Sequence, residues 1–88
     1  MKSILFYWGR GAQVRVKIVK EIHSCNKKNQ ACFLNQIAQM IDLSHVATKR
    51  HIGILIEEGY VEEVNPEGKP VFLQLTKKGE RIAKEFQK

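Results

Sequence analysis

The chain has 88 residues, 43% hydrophobic and 27% charged, with a net charge of +6 and a pI of about 9.6. That is one domain with a modest core, which association of two copies would support. It excludes a disulfide framework, because Cys25 and Cys32 are too few, and a membrane helix, because no run approaches the ~20 apolar residues required. The apolar run in "MKSILFYW" is too short for the core of a signal peptide, so the expected location is the cytoplasm. The positive charge is uneven. Residues 1–56 hold nine Lys/Arg against Glu21 and Asp42, whereas residues 57–88 hold six Lys/Arg against seven Glu. A basic front half is the footprint of a nucleic-acid binder, although a solvated surface without a target gives the same count.

Residues 1–10 form an N-terminal apolar segment whose "ILFYW" is the most exposed-looking apolar cluster, which either caps the core or, as a candidate dimer contact, pairs across a two-fold with the last helix. In residues 11–24, Val14, Ile18 and Ile22 recur at four-residue spacing with Val19 beside them, which predicts an amphipathic helix. "NKKN" is expected to break it. "ACF" fits a short strand, and Leu34, Ile37, Ala38 and Ile41 predict a short helix over 34–41. Asp42-Leu43-Ser44 makes a tight connection, with Ser44 as N-cap of a helix over 45–58 that ends at Gly59. "YVEEV" and "VFLQL" bracket "NPEGKP", where Asn65 to Gly68 suits a type I turn. The last helix opens at Thr76 and is expected to bury Ile82, Ala83 and Phe86.

This order predicts a mainly α fold with a small β-hairpin: a winged helix-turn-helix over 11–76 and a C-terminal helix over 77–88, a second candidate dimer contact. The three-helix core carries the hairpin as its wing. The helix over 45–58 has two sides. At about 100° per residue, Ile52, Leu55 and Gly59 lie near Thr48, with His51 at the edge, and form the core stripe. Val46, Arg50, Gly53 and Glu57 lie opposite, flanked by Lys49 and Ala47. A recognition helix enters the major groove N-terminus first. Arg50 suits bidentate bonds to guanine, Lys49 a phosphate or base acceptor, and Val46 and Ala47 thymine methyls. Gly53 allows close backbone approach. His45, the first helical residue, joins the contact set, and Lys69 sits at the wing tip.

"LSHVATKRHIGILIEEGYVEE" resembles the recognition-helix signature of ArsR/MarR-type winged-helix regulators of bacteria and archaea. The matching positions are Leu43, Ser44, Lys49, Arg50, His51, Ile52, Leu55, Gly59, Tyr60 and Val61. Leu75, Thr76 and Gly79 in "LQLTKKGERIAKEF" match the family's opening of the last helix. The resemblance spans about residues 11–88 and implies a sequence-specific DNA-binding regulator, a homodimer on a palindromic operator. It marks Val46, Ala47, Lys49, Arg50 and Gly53 as recognition contacts, and the wing around Lys69 as a backbone or minor-groove contact. Two departures stand out. The Ser and Thr frequent at the family's base-contacting positions are here Val46 and Ala47. The Cys-x-Cys pair of metal-sensing members is absent, so metal sensing is not implied.

The remaining candidates carry less. His23, Cys25 and Cys32 are three soft donors without a recognised zinc spacing, so one loop thiol and one buried thiol, both reduced, are expected. His51 reads as a packing histidine. Lys27, Lys28, Arg10, Arg15 and Lys17 fit either phosphate contacts or a solvated surface. With one Asp, three Ser and no glycine-rich phosphate loop, nothing in the spacing calls for catalysis. The expected partner is double-stranded DNA, with no catalytic residue, cofactor, metal, membrane or small-molecule effector. The alternative is a winged-helix protein-interaction module, or a non-specific chromatin or RNA binder without base readout.

Overall fold

Among the described residues, five helices and a hairpin form in the order α1 (Ile4–Tyr7), α2 (Ala12–Lys27), α3 (Leu34–Met40), α4 (His45–Glu57), β1 (Val61–Glu63), β2 (Leu73–Leu75) and α5 (Lys77–Glu85). The computed structural model describes residues 4–7, 11–30, 32–68 and 71–86. Ile18, Val19 and Ile22 of α2 meet Ile37 of α3, Ile52 and Leu55 of α4, Leu73 and Leu75 of β2, and Ile82 and Ala83 of α5 in one buried core. Phe86, expected inside, is only half-buried against it. The architecture is the predicted three-helix core with a wing and a C-terminal helix.

α2, α3 and α4 end in the same way. The residue after each C-cap turns left-handed: Asn29 (φ 55°), Asp42 (φ 55°) and Gly59 (φ 82°). The next amide then reaches back across the last turn, from Gln30 to the Cys25 carbonyl (2.9 Å), Leu43 to Ala38 (3.0 Å) and Tyr60 to Leu55 (2.9 Å). This is the Schellman arrangement, which satisfies carbonyls a helix end otherwise leaves bare. Asn and Asp take the left-handed turn at less strain than other side chains because their short polar groups bond locally.

α2 runs three residues past its expected end, to Lys27. "NKKN" does not break it at its first residue because Asn26 has a tertiary partner: its Oδ1 accepts the Leu75 amide (3.1 Å). The stop falls at Asn29. β2 belongs to a two-stranded sheet. It pairs antiparallel with β1, Val61 opposite Leu75 and Glu63 opposite Leu73. On its other edge the "ACF" stretch forms a bridge at Phe33–Phe72, and the Leu73 amide donates to the Cys32 carbonyl (2.7 Å). The wing turn closes by the Gly68 amide on the Asn65 carbonyl (2.8 Å), while Asn65 Oδ1 takes the Phe72 amide (2.7 Å).

Of the two places open to the N-terminal cluster, Phe6 takes the one over the core. Phe6 is buried and stands edge-on to the Tyr60 ring, 4.9 Å between centroids, and Tyr7 lies 5.3 Å from Phe86. α1 therefore covers the core of its own chain. Cys25 is also not a loop thiol. It lies on α2 and is buried, as is Cys32 on the bridge, and both are free. Burial, then the neighbouring Cys25 thiol, push the Cys32 thiol far above its ordinary pKa. A thiol held neutral in this way is a poor nucleophile.

The far end of α4 is fastened to the first turn of α5. Lys78 Nζ donates to the Glu58 carbonyl (2.9 Å), Thr76 Oγ1 to the Gly59 carbonyl (2.5 Å) and the Thr76 amide to the Tyr60 carbonyl (3.1 Å). Thr76 Oγ1 also accepts the Gly79 amide (3.1 Å), so the N-cap of one helix closes the C-terminus of another. The Lys78 ammonium sits 4.4 Å from the Tyr60 ring centroid, a cation–π contact that also complements the negative end of the α4 dipole.

Candidate nucleic-acid interface

α4 is built to show its N-terminal half to solvent. Ser44 Oγ accepts the Ala47 amide (3.1 Å), and Thr48 Oγ1 donates to the Ser44 carbonyl (2.8 Å). Thr48, Ile52 and Leu55 are buried, as the periodicity requires. Gly59 does not share that stripe. It is exposed, because the chain leaves the helical path before reaching it. His45, Val46, Lys49, Arg50 and Gly53 are exposed and Ala47 is half-buried, so the helix presents these five together on its outer side. No acidic residue occupies its first turn, which leaves the positive end of the helix dipole open to an anion. Glu57 and Glu58 are exposed at the opposite end.

Two hollows flank this surface. One, of about 400 Å³, is lined by Asn35, Gln39 and Asp42 from α3 and its turn together with His45. The other, of about 260 Å³, lies between α4 and the hairpin and takes Lys49, Gly53 and Ile56 on one side and Glu63 and Val71 on the other. Asn35 and Gln39 were not anticipated. Both are exposed on α3 one turn apart, and that i, i+4 polar pair opposite Ile37 was the available signal. Lys69 at the wing tip lies outside the described residues, as does Arg10.

The other basic residues separate. Arg15 is buried, and its Nη1 lies 3.4 Å from His51 Nδ1. It belongs to the α2–α4 contact and not to an outer surface. Lys17 and Lys20 are exposed beside Met40 and Asp42, along the helix-turn-helix turn. Lys27 lines a hollow with Glu80 and Lys84 of α5 instead. Among the described residues, no group of three His, Cys, Asp or Glu side chains is placed to hold a metal ion. No described helix is long and apolar enough to cross a membrane.

His51 shows how closely α4 meets α2. A Cβ added at Gly11 would come within 2.6 Å of the His51 ring. Burial, then the Arg15 and Arg50 charges, hold the imidazole below its ordinary pKa of 6.5. The folded protein thus binds this proton less readily than the unfolded chain. Stability should therefore fall as pH drops below about 6.5 toward the folded pKa, and level off beneath it. Urea midpoints at about pH 7.5 and about pH 5.5 measure the slope. His51→Gln is expected to flatten it, and an equal slope in that variant would contradict the assignment.

The sequence matches no protein-family model and no curated protein. Among solved structures it is similar to the reduced form of MarR from E. coli, at 19% identity and a TM-score of 0.72, over 82% of this chain and 52% of that one. It is also similar to FabT from Streptococcus pneumoniae in complex with DNA, at 20% identity and a TM-score of 0.69, over 93% and 58% of the two chains. A mutant MarR from E. coli complexed with operator DNA matches at 20% identity and 0.69, over 82% and 50%. The chain spans about half the length of the structures it matches. At these identities the likeness establishes the fold alone: a winged helix-turn-helix.

Proposed function

We propose that the chain is a sequence-specific double-stranded DNA-binding regulator of transcription that reads the major groove with α4. The observation that carries this reading is the outer face of α4. Arg50 and Lys49 stand exposed beside Val46 and Gly53 on a helix whose N-terminal turn holds no acid, and whose acids gather at the end a groove would leave last. Asn35, Gln39, Lys17 and Lys20 would meet the phosphate backbone on one side, and the wing with Lys69 on the other. Two of the structures with this fold are complexes with DNA, which supports DNA as the partner. The reading includes a cytoplasmic homodimer, paired through the N-terminal segment 1–10 outside its core contact and the C-terminal helix 77–88, and involves no catalysis. A monomer by light scattering at micromolar concentration would remove the pairing.

The test is selection of bound DNA from a random pool, followed by a salt series on the selected and a scrambled site. Affinity for both should fall with salt, since phosphate contacts release counterions. The gap between them should persist. A gap that closes with salt would instead describe a non-specific binder.

Gly53 gives a second check. It is exposed in mid-helix, and a Cβ there would meet nothing within 4 Å. Gly53→Ala should therefore stabilise the fold by about 0.5–1 kcal/mol, through lower backbone entropy in the unfolded chain. It should also weaken the selected DNA complex, because the methyl group stands where the helix meets the groove. Thermal melts and affinity on one preparation measure both. A stabilised protein with undiminished affinity would take Gly53 out of the interface.

A further inference from the structure

We propose that Val46 reads the C5 methyl group of a pyrimidine in the major groove, one or two base pairs from the base met by Arg50. The inference rests on the DNA-binding reading above and concerns what kind of base edge that surface prefers. Val46 is 73% exposed, more than the other large exposed hydrophobics among the described residues, Met40 and Val64. A single exposed valine is ordinary on a protein surface. This one stands in the first turn of α4, on the same side as Arg50 one turn later, where the other outward groups are cationic or polar.

Two of the polar groups around Val46 have partners inside the chain. Ser44 Oγ holds the Ala47 amide, Thr48 Oγ1 holds the Ser44 carbonyl, and Thr48 is fully buried. His45 lines the hollow against Asn35 and Gln39. The first turn therefore offers a base edge the Val46 hydrocarbon and the His45 ring, with its one hydroxyl, on Thr48, buried. In the major groove the apolar feature a base displays is the C5 methyl of thymine, and cytosine carries the same group when methylated at C5; the other edge groups are donors and acceptors. Four residues of helix rise about 6 Å, against about 3.4 Å per base pair. The methyl-bearing base thus lies one or two steps from the Arg50 contact.

Burying one methyl between Val46 and the base corresponds to roughly a fourfold change in affinity. The experiment uses the full chain and a site selected from a random pool. Each thymine is replaced singly by uracil, and each cytosine singly by 5-methylcytosine, so that only the methyl changes. At one position within two base pairs of the Arg50-sensitive one, removing the methyl should weaken binding roughly fourfold, or adding it should tighten binding as much. A uracil response assigns the source to thymine, and a 5-methylcytosine response assigns it to methylated cytosine. In Val46→Ala, which a thermal melt should show to be folded, the methyl response at that position should fall toward none. A selected site indifferent to every methyl, or a response that Val46→Ala leaves unchanged, overturns the proposal while the DNA-binding reading stands. A pool from which nothing is enriched overturns both.

Discussion

Gly79→Ala is expected to destabilise the fold by about 3 kcal/mol, the upper part of the range for overpacking. The reason is a backbone contact. A Cβ on Gly79 would lie 2.1 Å from the Tyr60 carbonyl oxygen and 3.2 Å from a Leu75 methyl. A flexible neighbour could turn aside, but this oxygen cannot, because it accepts the Thr76 amide (3.1 Å) and belongs to the turn that closes α4. Relief requires α5 to back away from that turn, which also strains the Thr76 bonds to Gly59 and Gly79 and the Lys78 contact. For a domain of this size the loss should lower the melting temperature by more than about 10 °C. Arg81→Ala, on the exposed side of the same helix, is the control and should shift stability by less than about 0.5 kcal/mol. A urea midpoint for Gly79→Ala equal to the control's would show that α5 can move freely.

The second large effect is on binding. Arg50→Ala should lose about 1–3 kcal/mol against the selected site, concentrated at one base pair. The argument is geometric: Arg50 is exposed on the outer face of α4, one turn past Val46 and one short of Gly53. A guanidinium can meet guanine O6 and N7 with two parallel bonds, which an ammonium cannot imitate. Arg50→Lys should consequently recover general affinity while leaving the base preference weakened. Lys49→Ala should behave differently, weakening all sites evenly and lowering the salt slope by about one. Competition of each variant against a panel of single-base changes distinguishes these patterns. Uniform weakening by Arg50→Ala would make it a phosphate contact.

What the sequence revealed was mostly local. Ser44, Gly59 and Thr76 are caps whose partners lie three or four residues away, so their type and spacing announce them. The buried face of α4 follows from Thr48, Ile52 and Leu55 at helical intervals. What stayed hidden depended on distant partners. Asn26 remains helical because Leu75, 49 positions on, needs an acceptor. Arg15 looks like a surface cation until His51, 36 residues later, closes over it. Phe6 looks exposed until Tyr60 meets it edge-on. Gly79 was legible as part of a pattern, while its cause, the Tyr60 carbonyl, was not. Of the candidate contacts, His45, Val46, Lys49, Arg50 and Gly53 share one exposed surface, and Asn35 and Gln39 join them only through the packing of α3 on α4.

The three carbonyls of Glu58, Gly59 and Tyr60, all held by Thr76 and Lys78, tie the C-terminal end of α4 to the start of α5. α4 has 13 residues, so its N-terminal end stands about 20 Å from the fastening. A tilt of about 5° about that fastening would carry Val46 about 1.6 Å by lever geometry, about half the spacing of stacked base pairs. Any tilt there would be largest at the end of α4 that carries Val46 and Arg50, so the alignment of those two side chains depends on how firmly Thr76 and Lys78 hold the other end.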